Sequence, residues 1–238
     1  MNNIHIPPVV KNLLIINVLF FAATYVFQGA GVNLSQYLGV FYFDSPFFKV
    51  WQPVTYMFMH ANLGHIFSNM FGLFMFGGVL ETRWGAKRFL NFYLICGLGA
   101  LALQMGVQAY EIYQITGHVV NIESIPGLGA NLSQAQMQTL SGIYGGPMVG
   151  ASGAIFGILV AFGMLYPNTE LMMIFFPIPI KAKYFIPLYI VFELYSGVAQ
   201  TPGDSVAHYA HLGGALVGFI LVKLWKDKDN NRFYTYYE

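Results

Sequence analysis

Long stretches without any charged side chain constrain this sequence more than any other feature. No Asp, Glu, Lys or Arg occurs between Lys11 and Asp44, between Lys49 and Glu81, between Arg88 and Glu111, between Glu123 and Glu170, or between Asp204 and Lys223. On insertion scales, one Arg, Lys or Asp at the centre of a bilayer costs about 2.5–3.5 kcal/mol. Runs of this length therefore predict helices that cross a membrane.

Six such helices fit into the chain. We expect spans near residues 12–30, 60–80, 89–109, 152–167, 184–198 and 206–224. At roughly 20 residues per crossing, the 238 residues suffice for one membrane-embedded domain, 1–238, with 56% hydrophobic and 9% charged residues. The sequence predicts an all-α membrane protein, a bundle of six transmembrane helices. The fifth span is the least regular, because it contains Glu193 and follows a proline-rich stretch.

The basic residues predict the orientation of these spans. All but one of the 11 Lys and Arg residues fall on one side of a six-span chain, and only Lys49 falls on the other. The positive-inside rule then puts both termini in the cytoplasm, as in a multi-pass protein of the plasma (inner) membrane. A net charge of +1 gives no reason to expect nucleic acid as a partner.

Three segments are predicted to lie on the outer side. The loop near 31–59 and the segment 111–150 are long, and the second has no Lys or Arg and is rich in Gly, Gln and Ser. Long loops without an obvious element are often functional or mobile. The segment 196–205 joins the last two spans and could serve as a movable lid.

Ser152 opens the fourth span within the motif Gly150-Ala-Ser-Gly. At the N-terminus of a helix, free backbone N–H groups and the positive end of the helix dipole could stabilise an oxyanion formed when the serine hydroxyl attacks a carbonyl. Small residues around a serine in a membrane helix also serve as packing contacts. This motif alone leaves both interpretations open.

The sixth span supplies a possible base for that serine. His211, Gly214 and Gly218 follow at i, i+3 and i+7 and share one helical face. The fourth span carries a matching pair of small residues, Gly153 and Gly157. If these faces pack closely, His211 meets Ser152 and can activate it as a nucleophile. A histidine that lines a pore or binds haem is the alternative.

The second span begins with His60, His65 and Asn69, of which the last two lie at i and i+4 on one face. Both side chains can donate hydrogen bonds, so they are candidates for an oxyanion hole. A structural hydrogen bond between helices is the alternative use. A metal site built on the histidines lacks an HExxH motif and a suitably placed carboxylate in the sequence, so we expect no metal and no other cofactor.

Together these motifs resemble the rhomboid family of intramembrane serine proteases. Gly150-Ala-Ser-Gly is similar to the family's GxSG motif, and His211-x-x-Gly-x-x-x-Gly resembles its HxxGxxxG motif. The pattern of His60, His65 and Asn69 also matches, and the likeness covers roughly residues 45–225. One departure is Gln52, which stands where the family often has arginine after tryptophan.

The resemblance implies a role for each matching residue. Ser152 is the expected nucleophile and His211 the general base, with no third, acidic member. His65, Asn69 and the backbone N–H of Ser152 form the expected oxyanion hole. Phe156 stands where the family usually has an aromatic residue beneath the histidine ring. The supporting residues are His60, Gly150, Phe156, Gly214 and Gly218.

The expected function is cleavage of transmembrane protein substrates within the lipid bilayer, at a site that opens to the outer side. A rhomboid-like protein that binds membrane segments without cutting them is the first alternative, but such a protein would lack the serine or the histidine. A channel or transporter is the second, but it would favour internal repeats, and none is visible here.

Overall fold

A computed structural model of the chain describes residues 6–120, 127–128, 132–173, 176–199 and 206–229. The α-helices are α1 (Pro8–Gly29), α2 (Leu34–Leu38), α3 (Gln52–Thr55), α4 (Leu63–Gly72), α5 (Gly78–Trp84), α6 (Ala86–Thr116), α7 (Gln134–Gly145), α8 (Ser152–Leu165), α9 (Ala182–Ala199) and α10 (His208–Asp229). A 3₁₀ turn, Tyr56–Phe58, follows α3, and a π-helical segment, Leu73–Gly77, joins α4 to α5. Two short strands, β1 (Glu170–Met173) and β2 (Phe176–Lys181), form an antiparallel hairpin in which Glu170 pairs with Lys181.

The protein is an all-α membrane protein, as the sequence predicts. Three helical segments among the described residues are long and apolar enough to cross a membrane: Pro8–Gly29, Leu63–Trp84 and Ala86–Thr116. The apolar helix α8 is shorter, and α9 and α10 lie where the fifth and sixth spans are expected. The count of six spans stays a prediction.

Helix α8 lies at the centre of the bundle. Every residue from 153 to 162 is buried, and α6 and α10 pack against the helix. A helix that is apolar on all sides is expected in such a position. Ser152, its first residue, therefore stands on an element that its neighbours hold from all sides.

Glycines bring α8 and α10 into backbone contact. A Cβ atom added to Gly214 would overlap the carbonyl oxygen of Gly153, and one added to Gly218 would lie 2.6 Å from the Cα of Gly157. No side chain fits between the two backbones at these positions. Small residues at matching positions are the usual means of such close approach in membrane bundles.

The loop between α1 and α4 is fixed by its own hydrogen bonds. Gln52 is fully buried, accepts a hydrogen bond from the N–H of Lys49 at 2.9 Å and donates one to the carbonyl of Phe47 at 3.1 Å. Gln52, the residue that departs from the family pattern, thus stabilises this loop through the hydrogen bonds of its own side chain. An isolated bridge between Val40 and Met148 ties the loop to the segment before α8.

Glu81 has a structural position. Its carboxylate is buried and accepts hydrogen bonds from the backbone N–H groups of Val9 and Val10 at 2.9 and 2.7 Å. These groups belong to the first turn of α1. The N-cap residue of this helix, Pro7, has no side-chain group that could accept these hydrogen bonds. A carboxylate at a helix N-terminus also interacts favourably with the helix dipole.

The segment 111–150 is more regular than the sequence analysis expected. Helix α6 continues to Thr116, and α7 begins after Ser133 with a capping box. The Ser133 hydroxyl accepts from the N–H of Gln136, and the Gln136 side chain accepts from the N–H of Ser133. The expectation of a long loop without an element is therefore wrong for this part. Of the expected lid, residues 196–199 belong to α9 and 200–205 lie outside the described residues.

Candidate active site

Gly150 sets the backbone that leads into α8. Its φ of +136° is rare for residues with a side chain, and its N–H donates to the carbonyl of Tyr56 at 2.9 Å. A Cβ atom at this position would lie 2.8 Å from Nε2 of His65 and 3.4 Å from Oγ of Ser152. The missing side chain thus leaves a small space that the His65 ring and the Ser152 hydroxyl both border.

Ser152 and His211 are within hydrogen-bond distance. The distance between Oγ of Ser152 and Nε2 of His211 is 2.8 Å, although 59 residues separate them in sequence. Ser152 comes from the start of α8 and His211 from the first turn of α10, so the backbone contact between those helices positions the pair. A hydroxyl bonded to an imidazole nitrogen is the arrangement that activates a serine nucleophile.

The His211 ring has a fixed orientation. The ring of Phe156 stacks on it, with ring centroids 4.4 Å apart and an angle of 10° between the planes. Phe156 lies one helical turn after Ser152 on α8, and Tyr189 of α9 packs on its ring at 5.0 Å. Phe156 therefore lies against the face of the imidazole, where the resemblance expects an aromatic residue.

The expectation that no acidic residue accompanies His211 is wrong. Oε2 of Glu193 lies 2.8 Å from Nδ1 of His211 and 2.7 Å from Nδ1 of His208. Glu193 comes from α9 and is 4% exposed. Sequence analysis missed it because neither its spacing from His211 nor a motif marks it, and it stood out only as a charge within the fifth span.

Glu193, His208 and His211 also bear on the metal site that the histidines suggested and that we excluded because the sequence showed no suitably placed carboxylate. The nitrogen and oxygen atoms of Glu193, His208 and His211 that could bind a metal lie within 4.8 Å of one another. Glu193 supplies such a carboxylate, so the stated reason for excluding a metal site is wrong. In the structure these atoms are hydrogen-bonded to one another.

His65 borders the serine from α4. Its Nδ1 accepts a hydrogen bond from the N–H of Ala61 at 3.4 Å, which leaves Nε2 as the nitrogen that carries hydrogen in the neutral ring. That Nε2 faces the space left by Gly150. His65 is thus a hydrogen-bond donor beside Ser152.

Asn69 and His60 lie behind His65. The Asn69 amide is buried and donates to the carbonyl of His65 at 2.9 Å, so one of its two N–H bonds is used within α4. The buried ring of His60 meets the ring of His65 edge to face, with centroids 5.0 Å apart. Of the two side chains of the expected oxyanion hole, His65 is the one whose Nε2 borders the position that Gly150 leaves open. The roles of His65 and Asn69 as donors stay predictions.

Comparison with known proteins points to one family. The model of the Rhomboid domain matches residues 48–226, which is most of the chain. The matched range includes Ser152, His211, His65 and Asn69, and it also includes Glu193.

Several curated relatives share this similarity. RHOMBOID-like protein 12, mitochondrial, of Arabidopsis thaliana is 31% identical over 170 residues, which are 70% of this chain and 44% of that protein. Rhomboid protein 1, mitochondrial, of Saccharomyces cerevisiae is 28% identical over 68% of this chain and 38% of its own length. Rhomboid protease AarA of Providencia stuartii is 29% identical over 72% of this chain and 54% of its own length. The chain thus spans about half or less of the length of these relatives.

Proposed function

This chain belongs to the rhomboid family, and on that premise we propose that it is a serine endopeptidase that cleaves transmembrane segments of other membrane proteins. The observation that carries the proposal is the 2.8 Å distance between Oγ of Ser152 and Nε2 of His211. A relative in the same family, AarA, is named as a rhomboid protease, which supports the proposal.

The proposed reaction is acyl transfer through a serine ester. Oγ of Ser152 attacks the carbonyl carbon of the scissile bond while its proton passes to Nε2 of His211. The tetrahedral intermediate collapses, and the C–N bond breaks as His211 gives that proton to the leaving amine. A water molecule then attacks the ester, again with His211 as base, and regenerates Ser152.

The negative charge on the tetrahedral intermediate needs hydrogen-bond donors. We assign this role to Nε2–H of His65, to the backbone N–H of Ser152 and to the free amide hydrogen of Asn69. Ser152 is the first residue of α8, so its N–H has no partner within the helix and the dipole of α8 adds to the stabilisation. Such donors are worth most where water is excluded.

A substrate helix has to unwind locally before it can react. In a helix each carbonyl is already hydrogen-bonded and the peptide bond is shielded by side chains. We therefore expect small and helix-breaking residues near the cleavage site of the substrate. The proposed substrates are membrane proteins that meet the enzyme within the lipid bilayer.

We further propose that residues 1–238 form one domain with six spans in the plasma (inner) membrane. Ten of the 11 basic residues fall on one side of this arrangement, which supports cytoplasmic termini. Ser152 and His211 lie at the outer ends of their helices in the same arrangement, so water would reach them from the outer side. Several relatives in the family are named mitochondrial. The charge pattern indicates on which side of the membrane the termini lie, and it does not identify the organelle.

Labelling of Ser152 by a fluorophosphonate tests the proposal. The serine displaces fluoride from phosphorus, and the reaction needs the same base as peptide cleavage. We expect the purified chain in lipid to be labelled and to cut a model transmembrane substrate, and Ser152→Ala to do neither. A wild-type chain that binds the substrate but is neither labelled nor active would instead be a membrane-segment binder without protease activity.

A further inference from the structure

We propose that Glu193 is a positioning residue for the Ser152–His211 pair, so that the site operates as an ordered Ser–His–Glu triad. The inference rests on the proposed protease function and adds a residue to the same site. Oε2 of Glu193 and Oγ of Ser152 each lie 2.8 Å from a different nitrogen of the His211 ring. The carboxylate and the hydroxyl thus flank the imidazole on its two nitrogen-bearing edges.

The first task of Glu193 is to select the tautomer of His211. An ionised carboxylate only accepts hydrogen bonds, so Nδ1 of His211 has to carry the hydrogen in this contact. Nε2 then keeps a free electron pair directed at the serine hydroxyl. In the opposite tautomer Nε2 would donate to Ser152 and could not take its proton, and the ring could not act as a base.

The second task is electrostatic. When Ser152 attacks the substrate, one proton moves from Oγ to Nε2, and the neutral ring of His211 becomes a cation. The proton on Nδ1 stays there, and Glu193 keeps its negative charge throughout. A carboxylate 2.8 Å away in a buried site stabilises that cation more than water would.

A bond to His208 fixes the carboxylate itself. His208 lies one turn before His211 on α10, and its Nδ1 is 2.7 Å from the same oxygen, Oε2. A structural role for Glu193, which would join α9 to α10, needs only this bond. The second bond, to the base that contacts Ser152, is the one that a structural role leaves unexplained.

Two substitutions of Glu193 separate the positioning role from a structural one. Glu193→Gln keeps the size of the side chain but removes the charge, and its amide can donate to Nδ1 and select the wrong tautomer. We expect kcat and the rate of fluorophosphonate labelling to fall about 10²-fold or more. KM should change by at most about threefold, because Glu193 is buried behind the His211 ring. Glu193→Asp keeps the charge and should recover about tenfold of the lost kcat.

A second buried carboxylate serves as the matched control. Glu81 is 3% exposed and accepts two backbone N–H bonds at the N-terminus of α1, away from Ser152. Glu81→Gln should lower the thermal stability and leave kcat and the labelling rate of the folded protein unchanged.

The measurements distinguish failure of this inference from failure of the proposed function. If Glu193→Gln is labelled and cleaves at the wild-type rate while Ser152→Ala is inert, the protease function is supported and the triad is contradicted. The triad is also contradicted if both Glu193 variants lose activity only in proportion to their loss of folded protein. If the wild-type chain is neither labelled nor active, the proposed function itself fails.

Discussion

At the scale of single residues, His211 has the most closely defined surroundings in the candidate site. Ser152 bonds one ring nitrogen, Glu193 bonds the other, and Phe156 covers one face. Each contact comes from a different direction, so the ring has little freedom to rotate. A base held in this way stays in the orientation from which it can accept a proton.

Replacing that ring removes the base but not the helices around it. We expect His211→Ala to reduce cleavage of a model transmembrane substrate and fluorophosphonate labelling by about 10²–10⁴-fold, the usual contribution of a general base. Thermal unfolding should show that the variant remains folded. Cleavage near the wild-type rate by a folded His211→Ala protein would contradict the assignment of the base.

A second residue-scale prediction concerns the oxyanion hole. His65→Phe removes the donor that faces the space left by Gly150, and we expect kcat to fall about 10²–10³-fold with a much smaller change in KM. Asn69→Ala should cost less, because the carbonyl of His65 already takes one of its amide hydrogens. His118→Ala, an exposed histidine in the loop after α6, is the control. Equal kcat in His65→Phe and the control would place the oxyanion hole elsewhere.

The residue scale also shows what sequence can and cannot reveal about a site. Ser152, His211 and His65 stand in local motifs whose spacing reflects helix geometry, so their positions were predictable. Glu193 has no motif, because its partners lie on another helix and their meeting depends on how α9 packs. A charge within an apolar span was the one available signal, since such a residue is costly in a membrane and usually has a partner.

At the scale of helices, the contact between α8 and α10 carries the geometry of the site. Gly214→Val would place a branched side chain where the Gly153 carbonyl lies, and overpacking of this kind typically costs about 1–3 kcal/mol. We expect labelling and cleavage to fall by on the order of 10²-fold, further than stability, because a shift of about 1 Å suffices for such a loss.

A neighbouring position on α10 gives the control for this prediction. Leu216 is 54% exposed, so Leu216→Val changes the same helix without entering the interface. We expect it to keep both the labelling rate and the thermal stability. If Gly214→Val behaves like Leu216→Val in both measurements, the contact between α8 and α10 does not hold the base in place.

Helices were predictable from sequence where the membrane requires them and less so elsewhere. Charge-free runs indicate α1, α6 and α8 because a bilayer leaves few alternatives for the backbone. Helix α7 was missed, although Ser133 and Gln136 form a capping box whose spacing is readable in the sequence. The hairpin of β1 and β2 follows from proline and bulky residues that break the helical pattern after α8.

At the scale of the whole molecule, the proposed orientation can be tested with single cysteines. The natural cysteine, Cys96, is fully buried, so it should give little background. Gln36 lies exposed in α2, within the segment proposed to face the outer side, and Lys87 lies exposed at the start of α6. We expect a membrane-impermeant maleimide added to intact cells to label Gln36→Cys, and to label Lys87→Cys only after permeabilisation. The reverse pattern would contradict cytoplasmic termini.

The bare contact between α8 and α10 also limits how this protein can vary. Where two side chains meet, a change in one can be compensated by a change in the other, so related sequences can drift together. Gly214 has no such partner, because a Cβ added there would meet the backbone of Gly153 and not a side chain. In a library that randomises position 214, survivors selected for proteolysis should therefore retain glycine, whereas an exposed position on α9 such as Val191 should accept other apolar residues.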